Sequence, residues 1–220
     1  MITVSKEDYL KSILEAESEG ENVIAARLAD LLKVSPPAVT MALRRLKKDR
    51  LVRVGADGHI RLTVAGRKIA RKLTLRHHLI ERMLSELFGM EWWKVHDEAE
   101  RLEHAVSPDF EAKLLAKLGS GAACPHGNLS ELESPTSRRR RGLVLLADAE
   151  PGQAYTVSGI YERDRQLLEF LEARGIRPGA KFRLLDRNYD KTLSIRTTAG
   201  AVVLGGLAAE KIWVSPAPGL

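Results

Sequence analysis

SPPAVTMALRRLKKDRLVRVGADGHIRL, residues 35–62, is the stretch whose reading decides the fold. Ser35 is a helix-capping residue, and Pro36-Pro37 fall in a first helical turn, where a missing backbone N–H leaves nothing unsatisfied. Val39, Leu43 and Leu46 then recur at helical spacing and mark a buried side. Leu51–Val54, the tip Gly55-Ala56-Asp57-Gly58 and His59–Leu62 read as a β-hairpin. Working upstream, 5–18 is expected to be a helix capped by Ser5, with Tyr9, Leu10, Ile13 and Leu14 as its apolar stripe and Gly20 beyond its end. Residues 23–33 give a second helix carrying Ile24, Leu28, Leu31 and Leu32. Three helices followed by a hairpin is the order of a winged helix-turn-helix, so 1–63 is expected to form a DNA-binding domain.

In such a motif the start of the second motif helix meets base edges, and basic residues farther along lie near phosphates. Ser35, Pro37, Ala38, Thr40 and Met41 would face the bases, their small apolar groups and hydroxyls suiting thymine methyls and a few base-edge hydrogen bonds. Arg44, Arg45 and Lys48 supply charge, and Arg53 and Arg61 of the wing reach a flanking backbone. Charge distribution agrees. Residues 1–76 hold 16 Lys/Arg against 9 Asp/Glu, 77–119 hold 5 against 9, and 120–220 hold 14 against 11, giving a net charge of +6. The basic end suits double-stranded DNA and the acidic middle suits a cation.

That middle contains KVHDEAERLEHAVS, residues 94–107. On a helix, His96, Glu100, Glu103 and His104 fall within an arc of roughly 100°. His77 and Glu81 repeat the imidazole–carboxylate pattern at i, i+4, and two such helices point to a divalent metal. Helices are expected over 63–88, 91–106 and 107–119, with more apolar surface than one helical hairpin uses, which makes them the expected dimer interface. The second expected domain runs over 64–141, its end a linker from Gly119 with Arg138–Arg141 as a solvated tether. Residues 142–220 hold five short strands and one helix, at 164–174, and are expected to form a small SH3-like β-barrel. The fold class is therefore mainly α with a small β domain. No long apolar run and no signal-like start occur, so a cytoplasmic protein without a membrane partner is expected. The single cysteine, Cys124, excludes an internal disulfide.

Taken together, EDYLKSI (7–13), RHHLIERML (76–84), KVHDEAERLEH (94–104), CPHGN (124–128) and LLADAEPGQAYTVSGI (145–160) resemble the diphtheria-toxin-repressor family of metal-dependent transcriptional regulators. The resemblance implies one metal site made of Asp8, Glu100, Glu103 and His104. It implies a second made of His77, Glu81 and His96, completed as in manganese-type relatives by Cys124, His126 and an acid of the SH3-like domain. For that acid, Glu162, Asp164 and Gln166 are the candidates, Asp164 the first choice. Carboxylates at 8 and 100, where the iron-responsive members carry sulfur, favour Mn²⁺, with Fe²⁺ as the alternative. Lys11 stands where a closely bridged metal pair would need an acid, which argues against such a pair at the first site.

The function so implied is a metal-dependent repressor of metal-homeostasis genes, binding a palindromic operator as a homodimer. Two alternatives differ in class. A dinuclear-metal helical-bundle enzyme would carry Glu-x-x-His on its helices, yet Glu81 is followed three residues later by Leu84, and Glu100 by Glu103. A winged-helix regulator with an organic effector would leave metal-dependent DNA binding untouched by loss of Glu103 or His104.

Overall fold

The computed structural model describes residues 4–119 and 121–217. Residues 1–3 and 218–220, the ends of the first and last expected domains, and residue 120 of the expected linker lie outside them. The chain begins with α1 (Val4–Ser18), α2 (Ala25–Leu32), α3 (Pro36–Lys48), β1 (Val52–Val54) and β2 (Ile60–Leu62). Ser5 lies inside α1 rather than capping it. The turn of the motif is made by Lys33 in the left-handed region, φ 52°, followed by Ser35 at the N-cap of α3. Ser35 makes no side-chain cap bond and is exposed. Leu10, Ile13, Leu28, Val39, Leu46 and Ile60 bury completely or nearly so in one core. Full burial of each aliphatic side chain stabilises by about 1.5–3 kcal/mol, which is what holds three short helices and a two-stranded wing together.

β1 and β2 pair antiparallel with Arg53 opposite Arg61. Like charges directly opposite on a strand pair repel. Among the described residues, neither of these arginines, nor Arg44, Arg45 or Lys48, has an acid within ion-pair distance. An anion from outside the chain would relieve that repulsion.

α4 (Val64–Arg82) follows, its Thr63 cap accepting from the Gly66 N–H at 3.1 Å. At Gly66 the helix presses on the wing: a Cβ there would lie 2.1 Å from the Leu51 carbonyl oxygen. Gly66→Ala is expected to lower stability by about 2 kcal/mol, measured by urea unfolding, since backbone rather than a flexible side chain must move. Unchanged unfolding would mean that the close approach is not enforced.

The expected 63–88 helix is interrupted. Met83–Leu87 form a π-helical turn, and Gly89 at φ 66° closes it. α5 is also shorter than expected, Val95–Leu102, because Trp92 and Trp93 pack against the C-terminal core and the Trp92 indole donates to Glu172 at 2.6 Å. α6 (Pro108–Leu118) starts from the Ser107 cap. Phe88, Phe110 and Leu115 of this helical unit are exposed.

Three further features depart from expectation. A helix, α7 (Pro135–Arg140), lies inside the supposed linker. Arg138 is buried, its guanidinium over the Trp213 ring at 5.1 Å and 3.5 Å from Glu19, so it is a packed contact and not part of a solvated tether. The C-terminal unit comprises β3 (Val144–Leu145), β4 (Ala154–Ile160), α8 (Arg165–Glu172), β5 (Lys181–Arg187), β6 (Leu193–Thr197), β7 (Gly200–Leu204), α9 (Gly206–Ala209) and β8 (Ile212–Pro216). β8 escaped the sequence reading, yet it pairs with both β3 and β4. The six strands form an antiparallel sheet in the order β3-β8-β4-β5-β6-β7, and no strand pairing among the described residues closes it into a barrel.

Candidate metal centre

α1 and the turn that follows α5 bring together an outer group of side chains. His104 Nε2 lies 2.7 Å from Asp8 Oδ1, and His104 Nδ1 lies 3.1 Å from Glu7 Oε2. Glu103 Oε1 is 3.6 Å from His104 Nε2. Asp8, Glu103 and His104 each offer a donor atom within 4.8 Å of the others. Glu100 is not one of that trio; its carboxylate stands 3.6 Å from His96 Nε2 and 4.0 Å from Lys11 Nζ, half exposed on the rim of the cleft. Glu7 was not anticipated, although its place beside Asp8 in the first turns of α1 was a usable signal.

Lys11 is the unexpected member. It is 2% exposed, and its ammonium lies 2.7 and 3.0 Å from the two Glu103 oxygens and 2.9 Å from His77 Nδ1. Burial disfavours its charge, but Glu15, Glu103 and Glu100 outweigh that and raise its pKa. A fixed cation therefore already sits on the Glu103 carboxylate.

Glu103 also joins the outer group to an inner one. Its Oε2 accepts from His77 Nδ1 at 2.6 Å, which turns His77 Nε2 toward Glu81 Oε1 at 3.1 Å and His96 Nδ1 at 3.0 Å. A carboxylate behind an imidazole in this way fixes the ring and raises its basicity as a ligand. The CPHGN loop completes the inner group. Gly127 N–H donates to the Cys124 carbonyl at 2.8 Å, Ile160 N–H to the His126 carbonyl at 2.9 Å, and Cys124 N–H to the Asn128 carbonyl at 2.8 Å. Gly127 is at φ 84°, with Ser158 carbonyl oxygen 2.2 Å from where a Cβ would be, so only glycine lets this loop lie on β4. The loop delivers His126 Nδ1 to 3.4 Å from Glu81 Oε1, and Cys124 Sγ to 3.7 Å from both His126 Nδ1 and Glu162 Oε2.

Glu162, not Asp164, is the acid of the C-terminal unit that enters this cluster. Asp164 caps α8, accepting from Leu167 N–H at 3.0 Å, and pairs with Lys211 at 2.6 Å; Gln166 is exposed. A cap and a ligand compete for one short carboxylate, and the helix terminus claims Asp164. His78, which the sequence reading passed over, is buried with Nε2 3.8 Å from Glu162 Oε1.

The electrostatics are those of a site built for positive charge. Burial would raise the pKa of Glu103, but the His77 hydrogen bond and Lys11 lower it to about 2. Burial likewise opposes ionisation of Glu81, yet His126 and His77 hold it well below its ordinary value. Glu162 is lowered by His78 and His96 against burial and the neighbouring Glu81. Both ring nitrogens of His78, Glu81 Oε2 and His126 Nε2 are buried without a hydrogen-bond partner among the described residues. Unpaired buried polar atoms on imidazole and carboxylate cost stability unless something binds them, and their chemistry suits a divalent ion.

Matches to known families run along most of the chain. An iron-dependent repressor N-terminal DNA-binding domain matches residues 1–60, an iron-dependent repressor metal-binding and dimerisation domain residues 63–130, and an FeoA domain residues 144–216. The diphtheria toxin repressor of Corynebacterium diphtheriae is 33% identical over 198 residues, covering 86% of this chain and 87% of its own. This chain belongs to the iron-dependent repressor family.

The repressor is thus a metal-dependent, DNA-binding transcriptional regulator and not an enzyme, with a dimerisation domain within the protein. The iron-dependent repressor IdeR of Mycobacterium leprae is 38% identical over 186 residues, 80% of this chain and 81% of its own. Among solved structures, a manganese-dependent transcriptional repressor in complex with manganese superposes with a TM-score of 0.84 at 32% identity, covering 96% of this repressor and all of that chain. The manganese regulator SloR does so with a TM-score of 0.79 at 27% identity, covering 96% and 98%. No helix among the described residues of the repressor is long and apolar enough to cross a membrane.

Proposed function

We propose that this repressor responds to Mn²⁺, with Fe²⁺ as the alternative, and that as a homodimer it binds a palindromic operator and represses metal-uptake genes in the cytoplasm. The observation that carries this reading is the 2.7 Å approach of His104 Nε2 to Asp8 Oδ1. Asp8 rides on the first helix of the DNA-binding unit, and Glu103 and His104 belong to the metal-binding unit. A divalent ion supplies positive charge that lets these carboxylates and imidazoles share one point. Asp8, Glu103 and His104 then hold α1, and with it α3 and the wing, at a set angle to the dimer axis.

The inner ligands in this reading are His77, Glu81, His96, Cys124, His126 and Glu162. Favouring Mn²⁺ are the carboxylate-rich outer donors and the manganese regulators among the solved relatives. On the DNA side, Ser35, Pro37, Ala38, Thr40 and Met41 would face bases, and Arg44, Arg45, Lys48, Arg53 and Arg61 phosphates. All ten are exposed.

Anisotropy titration of labelled palindromic DNA checks the reading. Saturating Mn²⁺ is expected to tighten binding at least ~100-fold over chelator, and His104→Ala to remove most of that gain while leaving weak, salt-sensitive binding. Equal affinity with chelator, Mn²⁺ and Fe²⁺ would rule the mechanism out. A gain that survives His104→Ala and Glu103→Ala would favour an effector other than metal.

A further inference from the structure

The inner cluster offers two sets of donors where one ion would need a single set. His77, Glu81, His96 and Glu162 present donor atoms within 4.8 Å of one another, and so, separately, do His78, Glu81, Cys124 and Glu162. The two sets share only the carboxylates. Glu162 is divided between them: Oε1 faces His96 Nδ1 at 3.9 Å and His78 Nε2 at 3.8 Å, while Oε2 faces Cys124 Sγ and His126 Nδ1, each at 3.7 Å. Glu81 Oε1 likewise stands between His77 Nε2 at 3.1 Å, His96 Nδ1 at 3.3 Å and His126 Nδ1 at 3.4 Å. Ligands bound at about 2.0–2.3 Å to a common ion lie roughly 3–4 Å apart, and the donor distances just given fall between 3.1 and 3.9 Å.

Counting donors makes the case stronger. His77, His78, Glu81, His96, Cys124, His126 and Glu162 are seven side chains, more than the six donors of an octahedral ion and of mixed hard and soft character. All are buried. The partnerless atoms are distributed across them, on His78, Glu81 and His126. Asn128 Nδ2 donates to Glu162 Oε2 at 2.7 Å and holds the carboxylate in its two-sided orientation. Glu81, Glu162 and a Cys124 thiolate give three negative charges, more than one divalent ion balances and one fewer than two such ions carry, and Glu103 stands behind His77 at 2.6 Å.

We propose that the inner cluster binds two divalent ions as a carboxylate-bridged pair, with Glu81 and Glu162 as the bridges. His77 and His96 terminate one ion, and Cys124 with His126 and His78 terminates the other. In two-metal sites the ions stand about 3.5–4 Å apart, close enough for their spins to couple. This rests on the metal-responsive reading above and adds to it an ion count. Lys11, whose ammonium occupies Glu103, keeps the outer group from forming a second such pair, so the pairing is confined to the inner cluster.

The test uses full-length reduced protein carrying His104→Ala, which removes the outer imidazole, titrated with Mn²⁺ and followed by metal analysis and low-temperature electron paramagnetic resonance. Two ions per chain with a spin-coupled spectrum are expected; one ion per chain with an isolated six-line spectrum overturns the proposal. Glu162→Gln is expected to lower the count to one and abolish coupling. Should Glu162→Gln not fold by circular dichroism, Cys124→Ser is expected to give the same loss of one ion, and retention of both ions in the variant that folds counts against the pair. Metal-dependent DNA binding by the unsubstituted protein together with a single inner ion would sink the pair alone. No Mn²⁺ binding by the unsubstituted protein would sink both the pair and the metal-responsive reading.

Discussion

Replacing Lys11 with methionine is expected to lower the stability of the metal-free protein by about 3 kcal/mol and, at the same time, to tighten Mn²⁺ binding at the outer group. Both effects come from one contact. The Lys11 ammonium lies 2.7 Å from Glu103 Oε2 and 2.9 Å from His77 Nδ1, with Lys11 and Glu103 both buried. Breaking a buried ion pair leaves its partner uncompensated, at a cost of about 3–5 kcal/mol; the remaining His77 contact keeps the loss toward the lower end. Methionine preserves most of the volume, so packing contributes little. With the ammonium gone, a metal ion no longer competes with a tethered cation for Glu103, and affinity is expected to rise about tenfold. Urea unfolding of chelator-treated protein and a Mn²⁺ titration measure the two halves. An unchanged unfolding midpoint, or weaker Mn²⁺ binding, would show that Lys11 is not the resident cation of that carboxylate.

Mn²⁺ affinity should also climb steeply with pH. In the metal-free protein, burial and the Lys11 charge oppose protonation of His77, but Glu81 and Glu103 prevail and raise its pKa to about 9. The Cys124 thiol is raised well above its ordinary value by burial and by the charges of Glu81 and Glu162. Ligation requires a free imidazole nitrogen and a thiolate, so binding displaces both protons. Each displaced proton makes the association constant rise about tenfold per pH unit, so two give on the order of 100-fold per unit between about pH 6 and 8. Calorimetry in two buffers of different ionisation enthalpy counts the protons; a pH-independent affinity would contradict the assigned protonation states.

The same groups shape the stability of the metal-free state. His77 has a raised pKa, so its contribution is complete below its ordinary value of 6.5 and is lost as pH rises through about 9. Glu103 has a lowered pKa, so its contribution is present above its ordinary value of 4.5 and is lost as pH falls through about 2. Between those ordinary values both contributions are whole, and the metal-free protein should be most stable there.

Local sequence determined the helices of the DNA-binding unit, the wing and the pairing of His77 with Glu81, because short-range rules govern them. The apolar stripe of α1, the Pro36-Pro37 start of α3 and the hairpin around Gly55–Gly58 each follow from periodicity or turn chemistry within a dozen residues. The i, i+4 spacing of His77 and Glu81 put both on one helix face, and they do meet, at 3.1 Å.

Long-range packing decided the rest. Which acid of 162–166 reaches the cluster depends on how β4 runs into α8: Glu162 ends in the site, and Asp164 is taken by the α8 cap and Lys211. Helical spacing grouped Glu100 with Glu103 and His104, but α5 ends at Leu102, and the turn that follows carries Glu103 and His104 to Asp8 while Glu100 stays beside His96. Arg138 looked like part of a solvated run until Trp213 of β8 and Glu19 of α1 closed over it. Lys11 was read only as the absence of an acid, and His78 lies beside the His77 that was singled out; a sequence assigns no burial to a lysine or a second histidine. Only the meeting of α1, α4 and the C-terminal sheet removes water from them, and that desolvation makes one a resident cation and leaves the other a buried imidazole without a hydrogen-bond partner among the described residues.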